Sequence, residues 1–368
     1  MKKVICFLLL IGFLSSLAPR AFAEDLYARS NDTASLFAVE DSLPEEQKEL
    51  TGSLRLDGQY DVEGACKRLI NKGIEAVRNR IRTELSFGAR LLCFALICSL
   101  SLSLSEEKKI NTLLEVCACC AVSLILTGEV NSVMTEAAST IYSLSDFSKA
   151  SLSAVFLAAA ASGAPASAPV RYAAASLTMD IMMSAAERLV LPLIQAFTAL
   201  SVSRSLFDNS ILSSTAKAVK WCALTSMTVL TLVFGFYISA TGLIAGSTDA
   251  IAVKTTKAVL TNVLPVVGGI LSDSAAVVLS AAAVIKNSVG VFSLIAVCSI
   301  CIGPFAFLGV KMLLLKAVAA AADLFPGFRL SALIRDFGTA LGMLLGLVGC
   351  CGIMLFLSIC SGIRTVTP

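Results

Sequence analysis

Three long stretches without a charged residue constrain this chain more than any other feature: Trp221–Thr248, Asn287–Val310 and Phe337–Ile363. A helix needs about 20 apolar residues to cross the hydrocarbon core of a bilayer, and each stretch is longer than that. Inside lipid, every backbone N–H and C=O group must be satisfied within the protein, which favours helices over open strands. The sequence therefore predicts an all-α, polytopic helical membrane protein surrounded by the lipid bilayer.

Composition supports this class and argues against several others. Hydrophobic residues make up 57% of the 368 residues and charged residues only 15%, whereas soluble domains carry about a quarter charged residues. The chain contains no histidine, so it lacks the commonest general base and the commonest metal ligand. It has no glycine-rich phosphate-binding motif, and its net charge of +3 is too small to indicate nucleic-acid binding. We predict a protein that is not an enzyme, uses no cofactor or metal and binds no nucleic acid.

Weaker apolar stretches add further predicted spans. Ser86–Leu104 and Ile110–Met134 are long enough to form a helical hairpin around the polar turn at Glu106–Lys109. Ala150–Val170 is rich in small residues and gives a weaker signal. Leu177–Ser203 is apolar but carries three ionisable residues: Asp180, Glu187 and Arg188. Together these stretches predict about six to eight membrane segments.

Residues 1–23 have the features of a secretory signal peptide. A pair of lysines precedes the apolar core Val4–Leu14, which is too short to span a membrane, and Ala21 and Ala23 form an A-x-A cleavage site. The mature chain would then begin near Glu24, outside the cytoplasm. The alternative is an uncleaved first anchor.

Residues 24–85 form a predicted exported polar region that ends in a basic amphipathic helix over Tyr60–Leu85. Apolar residues recur there at helical spacing, and lysines and arginines fill much of the remainder. Such a helix suits an anionic membrane interface or a partner, but it suits packing on the protein's own core equally well. Residues 86–368 form the predicted multi-span membrane domain. The lysines and arginines of its 311–336 connection favour the cytoplasmic side.

One apolar segment, near residues 261–286, carries features that a simple span lacks. Pro265, Gly268 and Gly269 weaken helix continuity, because proline removes a backbone donor and glycine disfavours the helix. Asp273 and Lys286 add charge to apolar surroundings. A broken or re-entrant segment beside water would make these five residues candidates for lining an ion or solute path. The alternative is a kinked packing helix with its charges at the helix ends.

A second candidate is a face of small residues on the last span. Gly338, Gly342 and Gly346 recur every fourth residue, and Gly349 lies close to the same face. Glycines one turn apart let the backbone of a second helix approach closely. That helix would belong either to another subunit, in a homo-oligomer, or to the same chain.

The chain also contains an internal echo. Leu206–Lys217 and Leu324–Arg335 match at five positions with one fixed offset, and each precedes a long span. Internal repeats are common in transporter folds. The echo favours an alternative function, a stand-alone secondary transporter or permease.

Several motifs in the C-terminal third resemble one known family. LPVVGG (Leu264–Gly269), LSDS (Leu271–Ser274), IKNSVG (Ile285–Gly290) and GPFAFLGVKML (Gly303–Leu313) are similar to those of the stage III sporulation protein AE family of endospore-forming bacteria. The order of a signal peptide, a short polar region and many membrane segments is also similar. The family has no catalytic motif to carry over.

The resemblance implies a polytopic protein of the mother-cell membrane that surrounds the forespore. There it would be a non-enzymatic component of a multi-protein, channel-like complex required for late forespore sigma-factor activity. Its expected partners are other stage III sporulation membrane proteins. Because this chain has no nucleotide-binding motif, any ATPase of the complex would be a separate subunit.

Overall fold

The described part of the chain is helical throughout. The computed structural model describes residues 62–104, 108–162, 167–207, 209–244, 268–324 and 328–363. Its helices are α1 (Val62–Leu104), α2 (Lys108–Ala161), α3 (Ser167–Ala185), α4 (Leu191–Leu206), α5 (Ser210–Ile244), α6 (Gly268–Ala322) and α7 (Phe328–Ile363). With α3 and α4 taken as one segment, six helices are long and apolar enough to cross a membrane. The prediction of an all-α, multi-pass membrane protein is confirmed.

Several helices are much longer than the spans that the sequence predicts. The basic segment and the first predicted span are one continuous helix, α1, of 43 residues. Helix α6 has 55 residues, which corresponds to about 80 Å at 1.5 Å per residue. The hydrocarbon core is about 30 Å thick, so the longest helices extend well beyond it.

Helices α3 and α4 are joined by one widened turn, a π-helix over Ala186–Val190. The N–H of Leu191 donates to the carbonyl of Ala186, five residues back. Pro192 follows at once; its ring would clash with the carbonyl four residues earlier in a regular α-helix. The widened turn relieves this clash, so the segment continues as one span to Leu206.

The centre of the fold is the antiparallel pair α6 and α7. A Cβ added at Gly342 on α7 would lie 3.1 Å from Met312 Sδ on α6, and one added at Gly352 would lie 2.8 Å from Cys301 Sγ. The apolar side chains between the two helices are almost fully buried. Burial of this kind is the main favourable contribution to packing within the protein.

Helix α1 runs parallel to α6 along its outer side. A Cβ added at Gly73 would lie 2.7 Å from Ile302 Cδ1, and one added at Gly88 would lie 2.7 Å from Leu314 Cδ1. The basic part of α1 therefore stands beside the uncharged part of α6, and not beyond its end.

The two echoing sequences occupy equivalent places in the fold. Leu206–Lys217 covers the turn from α4 to α5, and Leu324–Arg335 covers the turn from α6 to α7. An ion pair between Arg204 of α4 and Asp336 of α7 lies next to both sequences. Since α5 packs parallel to α7, the hairpins α4–α5 and α6–α7 lie side by side in the same direction.

Candidate functional site

A buried cluster of charges lies where α1, α2 and α6 meet. Lys311, the first charged residue after the uncharged stretch of α6, lies 3.6 Å from the Glu84 carboxylate of α1. It also forms an ion pair with Glu129 of α2. The side chains of Lys311 and Glu84 are only 8% and 9% exposed, whereas that of Glu129 is 39% exposed. We call Glu84, Glu129 and Lys311 the charged junction.

Neighbouring residues complete the electrostatics of this junction. The Lys311 ammonium lies 4.8 Å from the centroid of the Phe307 ring, and the Arg80 guanidinium lies 4.5 Å from the same centroid. A cation over an aromatic ring is attracted by the ring's negative face. Two carboxylates thus face two cations in largely apolar surroundings, which is the arrangement that buried charges require.

The charged junction is suited to holding helices together, because its ion pairs connect α1 and α2 to α6. Among its described side chains there is no hydroxyl or thiol beside a base, the arrangement that activates a nucleophile. Its lining is otherwise apolar, formed by side chains such as Phe87, Leu126 and Val133. It joins three helices through one ammonium group, so a movement of any of these helices must change the ion pairs.

Two further ion pairs tie helices together toward the same end of the bundle. The backbone N–H of Arg329 donates to Glu115 at 3.1 Å, and its side-chain Nε lies 3.6 Å from the same carboxylate. This contact fixes the start of α7 against α2. Arg204 pairs with Asp336 between α4 and α7, and both side chains are largely buried.

The predicted pathway residues fall mostly outside the described side chains. Pro265 lies outside the described residues, as does most of the expected break. Gly268 and Gly269 are the first two residues of α6. Asp273 and Lys286 lie on this one continuous helix, so the structure does not place them on two half-helices. Their side chains are outside the described set.

The other ionisable residues of the predicted spans do not form one site. Asp180 and Arg188 are exposed on the helix surface. Glu187, in the π turn, accepts a hydrogen bond from the Tyr142 hydroxyl of α2. That bond fixes the widened turn against α2. The predicted cleavage residues Ala21 and Ala23 lie outside the described residues.

The glycine face of α7 meets helices of the same chain. A Cβ added at Gly338 would lie 3.3 Å from Lys316 Cγ on α6, and one at Gly342 would approach Met312 of the same helix. One added at Gly346 would lie 3.1 Å from Met227 Cε on α5. Gly349 is also buried.

The charged junction was not predicted from the sequence. The sequence-based prediction placed Lys311 in a cytoplasmic connection. In the structure, α6 continues to Ala322, and Lys311 is buried within the bundle. The sequence did show a lysine, Lys311, directly after an uncharged stretch, and it showed Glu84 and Glu129 on two other predicted helices. Nothing in the sequence indicated that these three residues meet.

Comparison with known proteins gives one consistent result. A family model described as stage III sporulation protein AE matches residues 50–364. A protein of Bacillus subtilis (strain 168), named stage III sporulation protein AE, is 30% identical over 140 residues. That alignment covers 38% of this chain and 35% of the Bacillus protein, about a third of each. No solved structure matches the chain.

Proposed function

The chain belongs to the stage III sporulation protein AE family, and from this membership we propose that it is a non-enzymatic membrane component of a channel-like complex between mother cell and forespore. The family name implies a role in sporulation, and the helices make the protein a multi-pass membrane protein. The observation that carries the proposal is the extent of the family match. Residues 50–364 include every described helix, from Val62 to Ile363.

The proposal extends to location and partners. The protein would lie in the mother-cell membrane around the forespore, with its signal peptide removed between Ala23 and Glu24. There it would assemble with other stage III sporulation membrane proteins, and a separate ATPase subunit would supply energy. Its activity would be required for late forespore sigma-factor activity.

The architecture supports an assembly component. Its longest helices extend beyond the hydrocarbon core, so they offer surface for contacts outside the bilayer. The polar groups brought together between its helices form ion pairs that fix those helices relative to one another. These features suit a framework that holds other subunits.

Deletion of the gene in its own host tests the proposal. We expect engulfment of the forespore to finish normally and a late forespore sigma-factor reporter to lose most of its signal. A complementing copy with an affinity tag should retain the other stage III sporulation membrane proteins after detergent extraction. Full reporter activity in the deletion strain would refute the proposed role.

The paired hairpins favour a second candidate, a secondary transporter that acts alone. Helices α4–α5 and α6–α7 form hairpins of the same direction that pack side by side, an arrangement that folds built from internal repeats also have. A transporter of this kind would purify as a homogeneous protein and move a solute in vesicles that contain no other subunit. Co-purification of a fixed set of sporulation proteins, without such transport, would favour the complex.

A further inference from the structure

The contacts between helices fix which residues lie at the same height in the bundle. Gly342 on α7 is level with Met312 on α6, and Gly352 is level with Cys301. On the other side of α7, Thr231 Oγ1 of α5 lies 3.6 Å from Cys350 Sγ. The uncharged stretches of α5, α6 and α7 therefore occupy the same layer, which is long enough to cross the hydrocarbon core.

On the α5 side, this layer has the surface that lipid requires. Leu232, Val233 and Phe236 are exposed, and Phe236 is 76% exposed. No charged residue occurs between Trp221 and Ile244. This side of the molecule suits direct contact with acyl chains.

On the α1 side, the same layer has a mixed surface, in which polar and charged side chains lie beside the exposed apolar side chains of Ile70, Ile74 and Ile81. Helix α1 packs on α6 and α2, and α5 packs on α4 and α7, so the two helices lie on different sides of the bundle. Gly73 of α1 is level with Ile302, and Arg80 is level with Phe307. These α6 residues lie inside the uncharged stretch.

The residues of α1 that point away from α6 form one stripe at this height. Helical spacing places them opposite Leu69, Gly73 and Glu84, which face the bundle. They are exposed and polar or charged, and we call them the polar stripe: Arg68, Asn71, Glu75, Arg78 and Asn79.

The stripe ends where α1 leaves this layer. Farther along the same outward face, the exposed residues are apolar, as at Cys93, Ile97 and Leu100. The polarity of one helix face thus changes along its length.

From this register we propose that the polar stripe borders water at the depth of the hydrocarbon core, in a passage whose other walls are further protein. Charged side chains are costly in hydrocarbon and normally face protein partners or water-filled cavities. The inference rests on the proposed channel role, because the chain supplies only one wall by itself. Two arginines against one glutamate give the stripe a net positive charge, so the passage favours anionic solutes.

Cysteine labelling at two positions of equal height tests the proposal. Asn71 on α1 and Phe236 on α5 lie within about one helical turn of the same level, by the contacts above. Asn71→Cys and Phe236→Cys are made separately in the full-length chain and treated in native membranes with a membrane-impermeant thiosulfonate. Peptide mass spectrometry localises the label, so the native cysteines can remain in place.

We expect Asn71→Cys to react at least tenfold faster than Phe236→Cys. At Asn71→Cys, a sulfonate-bearing reagent should also react several-fold faster than a trimethylammonium reagent of similar size. Equal labelling at the two sites, or an unreactive Asn71→Cys, would overturn the hydrated stripe. A faster reaction with the cationic reagent would overturn the preference for anions.

Two further measurements test the membrane depth of this layer and the register of α1 on α6. A bimane attached to Phe236→Cys should be quenched by lipids brominated deep in the acyl chains, which would place this level inside the core. A Gly73→Cys, Ile302→Cys double variant should form a disulfide, which would confirm the α1–α6 register. Failure of either result would remove the basis of the proposal.

Sporulation of the labelled strains separates this inference from the proposed function. A strain with Asn71→Cys that sporulates normally but is not labelled would refute the hydrated stripe alone. Normal sporulation after deletion of the whole gene would refute the proposed function.

Discussion

Lys311 shows how much a single side chain can determine in this fold. Its ammonium group is the only cation within ion-pair distance of both Glu84 and Glu129 among the described residues. Removing one member of a buried ion pair leaves an uncompensated charge, which is far more costly than never having had the pair. The charged junction therefore makes the packing of α1 and α2 on α6 depend on one residue.

We predict that Lys311→Met destabilises the protein by about 3 kcal/mol, because Glu84 is left buried without its partner. The melting temperature of the purified protein in detergent should fall by several degrees, and its abundance in membranes should fall with it. The matched control is Lys149→Met. Lys149 pairs with Asp146 one turn away on α2, and both side chains are more than half exposed, so the substitution leaves no buried carboxylate unpaired and a smaller loss is expected.

A double variant distinguishes loss of charge from loss of packing. Glu84→Gln together with Lys311→Met removes both the ammonium group and the buried carboxylate. It should recover at least half of the stability that Lys311→Met loses. A double variant as unstable as the single one would show that the lysine acts through its aliphatic chain.

At the scale of helices, the glycines of α7 are where backbones come closest. Gly342 faces Met312 on α6, and Gly346 faces Met227 on α5. A flexible methionine adapts to the groove that a glycine leaves. The same groove has no room for a large side chain.

Gly342→Leu should destabilise the pair of α6 and α7 by about 1–3 kcal/mol, because overpacking forces neighbours apart. Thermal unfolding in detergent and abundance in membranes measure the effect. Gly235→Leu on α5 is the matched control, since a Cβ there meets nothing within 4 Å. Met312→Ala should partly restore the stability of Gly342→Leu by making room. An unchanged melting temperature for Gly342→Leu would contradict close packing at this face.

The parallel packing of α5 on α7 can be tested with one substitution. Thr231 Oγ1 lies 3.6 Å from Cys350 Sγ, which is close enough for a disulfide after Thr231→Cys with a small adjustment. Mild oxidation should link the two peptides, and mass spectrometry of the digest detects the link. Phe236→Cys points outward and should give no link to Cys350. Absence of the Thr231→Cys link would mean that the helix register is different.

At the scale of the whole molecule, the direction of the helices fixes which ends meet. Because α1 is parallel to α6 and α6 is antiparallel to α7, Val62 and Ile363 lie at the same end of the bundle. The opposite end carries the turns after α4 and α6, with arginines and lysines that include Arg204, Arg329 and Arg335. By the positive-inside rule, we expect this second end to face the cytoplasm.

We therefore predict that the mature N-terminal region and the C-terminus are both outside the cytoplasm. Alkaline phosphatase fused after Ile363 should be active, whereas the same enzyme inserted in the 323–327 turn should be inactive. N-terminal sequencing should find the mature chain beginning near Glu24. Opposite activities of the two fusions would overturn this orientation.

Sequence alone determined the class of this protein, because hydrophobic length and missing charge are local properties. The long uncharged stretches around Phe236, Val297 and Leu347 required membrane helices whatever their neighbours were. The motifs from Leu264 to Leu313 indicated the family for the same reason, since they can be read without knowing any contact. The internal echo marked two stretches that each connect one long helix to the next.

Only the tertiary structure decided which residues meet. Glu84, Glu129 and Lys311 are far apart in sequence, and each looks like an ordinary charge near a helix end. The register between α1 and α6 placed the basic segment beside an uncharged stretch, although the sequence placed it before the membrane. Hydrophobic periodicity shows which face of a helix is buried, but not the partner or the height at which it is buried. Those are set by side-chain packing and ion pairing between distant segments, which no local pattern encodes.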